Sequence, residues 1–242
     1  MDPIAIATSV LTLVAGVGIF LIACSMMSSN LEALGSRKLK SLFAKASKSK
    51  LVGVGVGAAT TAAIQSSSAT SVMVIGFVNA GIMTLAQAAT VIFGANIGTT
   101  VTGQLVALGM FGENTISSSV IFATFAGVGA FILMFAKKDS LQKVGGILAG
   151  FGMLFVGLSM MSGAMAYFSE LDAVKSFLAL FENPVLLVII GALLTAVVQS
   201  SSVMTSMAIS MVVTGLISLN QGIYITMGSN VGTCVTALIA GL

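Results

Sequence analysis

The chain has 242 residues, of which 57% are hydrophobic and only 7% charged, with a formal net charge of +3 and a mean hydropathy of +1.12. Soluble globular domains carry about a quarter charged residues, so that class is excluded and a polytopic membrane protein is implied. There is no histidine, and the two cysteines, Cys24 and Cys234, both sit in apolar segments. The commonest general base, the commonest metal ligand and a disulfide framework are therefore missing from the reading.

The apolar stretches are rich in Gly, Ala, Val and Ile without strict alternation. That pattern predicts spanning helices and not the two-residue period of an outer-membrane barrel, so the fold class is all-α. The start, "MDPIAIATSVLTLV", lacks the basic flank of a cleavable signal peptide, and residues 4–29 read as a first span. Six basic residues follow within 37–50. Among them Leu39, Leu42, Phe43 and Ala46 recur at helical spacing, which predicts a short interfacial helix.

Residues 51–82 are too long for one upright helix and too short for two full spans. Halfway along lies "QSSS", Gln65 to Ser68, inside a run with no charge from Leu51 to Gly112. Two half-helices meeting at that row in a re-entrant hairpin are expected, although two complete crossings would keep the same sidedness. Residues 84–108 can span, but "GANIGTT" in the middle is poor helix material, so a discontinuous helix is predicted there. Residues 116–136 and 145–168 are further spans.

Placing residue n over n+134 aligns the chain with itself. Gln65 to Ser68 falls on Gln199 to Ser202, "GANIGTTVT" on "GSNVGTCVT", and 16 of the 38 positions from 65 to 102 match those from 199 to 236. The chain is a tandem duplication, with a first repeat at 1–143 and a second at 144–242 that lacks its last span. In the second copy Val174, Phe177, Leu178 and Phe181 again read as an interfacial helix.

Nine of the ten basic residues lie in 37–50 and 137–143, which the positive-inside rule makes cytoplasmic, leaving the N-terminus outside. One repeat then makes three net crossings. An odd number inverts the second copy, giving an inverted-topology repeat of the kind secondary transporters use.

An isolated serine in a membrane helix commonly bonds back to its own carbonyls. A buried row that includes a glutamine, recurring at the same repeat position, points instead to a site. Inverted hairpins bring their tips together near the midplane, where helix N-termini favour an anion and free oxygens favour small hard cations. No Lys or Arg lies in the core, so a multiply charged anion enters only with its own cations, which calls for sodium co-transport. In the second element of each repeat, Asn96, Thr99, Asn230 and Thr233 supply oxygens of the type sodium takes. The competing reading is that glycines such as Gly94 and Gly98 only let helices pack closely.

Paired "QSSS" rows, each followed about thirty residues later by "G-[AS]-N-[IV]-G-T", resemble the bacterial and animal type II sodium-phosphate cotransporters across nearly the whole chain. The resemblance implies a sodium-driven importer of inorganic phosphate and no enzyme activity, in the cytoplasmic membrane, without cofactor or nucleic-acid partner. It implies phosphate at Gln65, Ser66, Ser67, Ser68, Gln199, Ser200, Ser201 and Ser202. Sodium falls to Gln65, Ser68, Asn96, Thr99, Thr100, Gln199, Ser202, Asn230 and Thr233. Membrane lipid surrounds the carrier, and a homo-oligomer is left open. Another oxyanion, or a small neutral solute, is the alternative cargo. Two departures from the family pattern, the missing counterpart of 116–136 and the absence of a soluble C-terminal domain, suggest a short form, a fragment or half of an assembly.

Overall fold

A computed structural model describes residues 3–46, 49–110 and 118–241. Every regular element among them is helical: α1 (Pro3–Ala46), α2 (Lys50–Ile64), α3 (Ser67–Asn79), α4 (Leu85–Met110), α5 (Ser118–Phe135), α6 (Asp139–Ser169), α7 (Asp172–Ala179), α8 (Pro184–Val198), α9 (Ser201–Val213), α10 (Leu219–Gly232) and α11 (Cys234–Gly241). Four stretches of the described residues are long and apolar enough to cross a membrane, namely Pro3–Gly35, Leu85–Gly109, Asp139–Ser169 and Leu219–Gly241. The first two residues of the span predicted at 116–136 lie outside the described residues.

The offset of 134 carries into the backbone. α2 and α8 begin on side-chain caps, Ser49 and Asn183. Thr84 with Gln87, and Ser218 with Gln221, exchange backbone-to-side-chain bonds at the starts of α4 and α10, a reciprocal arrangement that satisfies two otherwise unpaired donors. Gly81 and Gly215 hold φ of 69° and 71° in the turns before those helices.

Within each copy the glycines decide the packing. A Cβ on Gly57 would lie 1.9 Å from the Val91 carbonyl oxygen, one on Gly94 2.0 Å from that of Val54, and one on Gly98 2.5 Å from that of Ala58. The partner of position 54 is therefore 94, and that of 58 is 98, so α2 and α4 run parallel. Since α4 follows α2 in the chain and starts at the same level, α3 has to run back between them. The second copy repeats this, with Gly228 against Val188 and Gly232 against Ala192.

Between the copies, α1 and α6 pack antiparallel. Gly16 lies against Gly157, and Gly150 against Ala23 and Met27. Positions 16 and 150, and 23 and 157, are repeat equivalents, so each copy offers the other the same surface. Around this crossing lies a shared core of Phe20, Ala23, Met27, Val106, Leu154, Phe155, Leu158, Met161 and Val203. α5 runs antiparallel along a neighbouring face of α6, with Gly129 against Ala149 and Gly152 against Ala126, and its Phe122 stacks on Phe155 with ring centroids 3.7 Å apart.

Two expectations need correction. α4 is continuous through 94–100, where a discontinuous helix was predicted. Its glycines serve close approach to α2 instead of a backbone break, because two helices at this separation leave no room for a Cβ. The second copy interrupts its helix only at Thr233, between α10 and α11. α1 also runs on without a break through Ala46, so the first interfacial segment is an extension of the span. Its Phe43 is buried and meets Phe77 edge-on at 5.2 Å, within a cluster of Val56, Val74, Met83, Ala88 and Val91. In the second copy the corresponding α7 is a separate helix, set at 112° to α8.

Candidate functional site at the two QSSS tips

Each row sits at the junction between half-helices. Gln65 ends α2 at φ 55° and ψ 26°, and Gln199 ends α8 at φ 59° and ψ 22°. They are the two described residues other than glycine with positive φ. Left-handed backbone costs an L residue about 1–2 kcal/mol, and such strain concentrates where function holds it in place. The following serines, Ser66 and Ser200, return to extended backbone and cap α3 and α9 by accepting from Ala69 N (3.1 Å) and Val203 N (3.4 Å). The first turns of α3 and α9 thereby present unclaimed N–H groups, with the positive end of each helix dipole, beside Ser67, Ser68, Ser201 and Ser202.

The glutamine side chains are held in the same way in both copies. Gln65 Nε2 donates to Ala62 O at 2.6 Å, and Gln199 Nε2 donates to Ala196 O at 2.5 Å. Thr102 Oγ1 donates to Gln65 Oε1, and Thr236 Oγ1 to Gln199 Oε1, both at 2.7 Å. Thr102 and Thr236 carried no predicted role; the signal for them was their identity across the repeat.

A chain of contacts joins the tips. Thr102 precedes Gly103, where a Cβ would meet Thr205 Cγ2 at 3.6 Å, and Thr205 is one turn beyond Ser201 in α9. Two adjacent residues of α4 thus lie between the first tip and the first turns of α9 beyond the second tip, and α11 packs on α3 in the reciprocal sense.

The predicted sodium ligands of the second motif are placed less uniformly. Thr99 is buried, with its hydroxyl donating to Ala95 O. Thr100 is exposed and donates to Ile97 O, and Thr233 donates to Ser229 O. Asn96 is exposed on the α4 face that also carries Gly103, seven residues on. Asn230 lines a mainly apolar cavity of about 440 Å³ between α9 and α10, with Thr205 and Thr226. A second cavity of about 470 Å³, lined by Glu182, Ser218, Asn220, Gln221 and Tyr224, lies where α7, α8 and α10 meet. No tip residue lines either cavity.

The copies differ at one buried pair. Thr61 Oγ1 donates to Thr70 Oγ1 across the first hairpin at 3.0 Å. Nine residues of straight helix would separate these positions by about 13.5 Å, so the chain turns back at the tip. In the second copy Thr195 stands in the place of Thr61 and Met204 in that of Thr70, and the fully buried Thr195 hydroxyl finds no hydrogen-bond partner. The same substitution therefore has different expected effects at equivalent positions. Thr61→Val loses about 1 kcal/mol with its bond, whereas Thr195→Val is neutral or stabilising by up to about 1 kcal/mol. Thermal unfolding of the two variants in detergent reads this directly; equal losses would contradict the difference between the hairpins.

The Na+/Pi-cotransporter family model matches residues 19–163 and 167–242. The chain belongs to this family. An uncharacterized protein, YqeW, from Bacillus subtilis is 28% identical over 224 residues, covering 92% of this chain and 70% of its own length. The putative inorganic phosphate export protein YjbB of Escherichia coli K12 is 23% identical over 210 residues, covering 86% of this chain and 37% of its own. A sodium-dependent phosphate transport protein 2A from Ovis aries is 48% identical over 64 residues, 26% of this chain and 10% of that protein. No solved structure matches the chain significantly. This family member spans 70% of YqeW and well under half of YjbB.

Proposed function

We propose that the chain is a sodium-coupled carrier that imports inorganic phosphate across the cytoplasmic membrane, binding phosphate and sodium between the two QSSS tips. One observation carries this reading: in a member of the Na+/Pi-cotransporter family, two strained glutamine tips with matching hydrogen bonds are linked through Thr102, Gly103 and Thr205.

The antiparallel α1–α6 crossing, with equivalent residues exchanging places, supports an inverted-topology repeat whose pseudo-two-fold axis lies in the membrane plane. The parallel course of α2 and α4 supports hairpins that enter and leave on one side. Phosphate is held by Gln65, Ser66, Ser67 and Ser68 with Gln199, Ser200, Ser201 and Ser202, through helix N-terminal N–H groups and hydroxyls. Sodium takes oxygens of Gln65, Ser68, Asn96, Thr99, Thr100, Gln199, Ser202, Asn230 and Thr233. The protons of Thr99, Thr100 and Thr233 are already given to carbonyls of their own helices, which leaves their lone pairs for a cation. Neutral donors alone offset little of a phosphate's charge in a low-dielectric core, so the anion and its sodium ions bind together.

Radiolabelled phosphate uptake into proteoliposomes is expected to require sodium and to collapse when potassium or choline replaces it. Ser66→Ala, Ser67→Ala and Gln199→Ala are each expected to cripple uptake while the protein still inserts; undiminished uptake in all three removes the site assignment. The name of YjbB favours a second reading, export. Phosphate efflux from loaded vesicles that ignores the sodium gradient would select it over coupled import.

A further inference from the structure

We propose that Thr102 and Thr236 are positioning residues that fix which end of each tip glutamine faces the cation; this rests on the sodium-coupled reading above.

A threonine within a membrane helix ordinarily gives its proton to a carbonyl one turn back. Thr99 and Thr100 in α4, and Thr233 at the junction of α10 and α11, do so. Thr102 and Thr236 instead donate across to Gln65 and Gln199, 37 residues away in each case. The direction of each bond is forced. The carbonyl oxygens of Ala62 and Ala196 can only accept, so each Nε2 has to face them. Each Oε1 is thereby turned toward α4 or α11, and the threonine has to be the donor.

The consequence is an oriented pair of oxygens. Gln65 Oε1 and Thr102 Oγ1 stand 2.7 Å apart, each with lone-pair capacity to spare. Without the threonine hydroxyl the amide keeps only its tie to Ala62 O, and its oxygen is free to swing away from the cation. The weaker alternative is that the bond merely holds α4 against α2, but the glycine contacts of α2 and α4 already do that.

The test uses the full chain in proteoliposomes with sodium and inorganic phosphate as probes. Thr102→Val and Thr236→Val are expected to raise the sodium concentration for half-maximal uptake about fivefold to tenfold, with the maximal rate little changed. Thr102→Ser and Thr236→Ser restore the wild-type value, and Thr102→Val adds nothing in a Gln65→Ala background. The proposal is overturned if the valine variants leave the sodium curve unmoved, or lower only the maximal rate. It is also overturned if serine fails to rescue, or if the effects of Thr102→Val and Gln65→Ala add. Uptake by the unaltered chain that ignores sodium overturns the functional reading itself, and this proposal with it.

Discussion

Gly94→Ala and Gly228→Ala are expected to eliminate folded protein. A Cβ at either position would lie 2.0 Å from a carbonyl oxygen, of Val54 or Val188, and no more than 3.0 Å from a second backbone atom, Ala58 N or Ala192 N. The obstacle is main chain on both sides, so no rotamer change relieves it, and α2 or α8 has to move off its partner helix. Overpacking a well-packed interior commonly costs about 1–3 kcal/mol. The cost here exceeds that range, because the clash is with rigid helical backbone and recurs along one seam. Loss of the seam also removes Thr102 or Thr236 from its glutamine. Gly55→Ala on α2, the partner helix of α4, is the control, since nothing lies within 4 Å of a Cβ there. Alanine at that exposed position gains about 1 kcal/mol of helix propensity. Size-exclusion profiles and melting temperatures in detergent separate the cases. A monodisperse Gly94→Ala protein with unchanged melting temperature would contradict the parallel α2–α4 packing.

Gln65→Gly and Gln199→Gly carry the largest expected effect on transport. Glycine adopts the left-handed backbone of these positions without penalty, so the substitution relieves about 1 kcal/mol of strain while deleting the amide. If the glutamines served only to end α2 and α8, glycine would be as good or better. If their amides hold ligand and orient the tip, the folded protein persists and uptake falls about 10- to 100-fold, the equivalent of one or two charge-assisted hydrogen bonds. The divergence between melting temperature and uptake is the informative quantity. Retained uptake in both glycine variants would reduce the glutamines to helix caps.

How much of this was legible in the sequence follows from the range of each interaction. The duplication was readable position by position, and the backbone repeats it down to matching φ values at Gln65 and Gln199 and at Gly81 and Gly215. The location of each tip was legible as well, because a row of amide and hydroxyls is costly in the middle of an apolar segment unless something pairs with it. What misled was glycine. In "GANIGTT" it was read as a breaker, although the same residue is what lets α4 lie against α2, and tertiary packing outweighs a local propensity of about 1 kcal/mol. The continuation of α1 through Ala46 was hidden because lysines and apolar residues alternate there at helical spacing whether the helix is separate or not. The bond from Thr102 to Gln65 spans 37 residues, beyond any local pattern. Only the recurrence of threonine at 236 marked it.

Convergence of the two tips on one site is tested most directly by joining them. With Cys24 and Cys234 replaced by alanine, Ser68→Cys and Ser202→Cys are introduced together and treated with a short bifunctional thiol reagent. An intramolecular cross-link is expected. Cysteines that each react singly with a monofunctional reagent yet never bridge, with or without phosphate and sodium, would contradict a shared site.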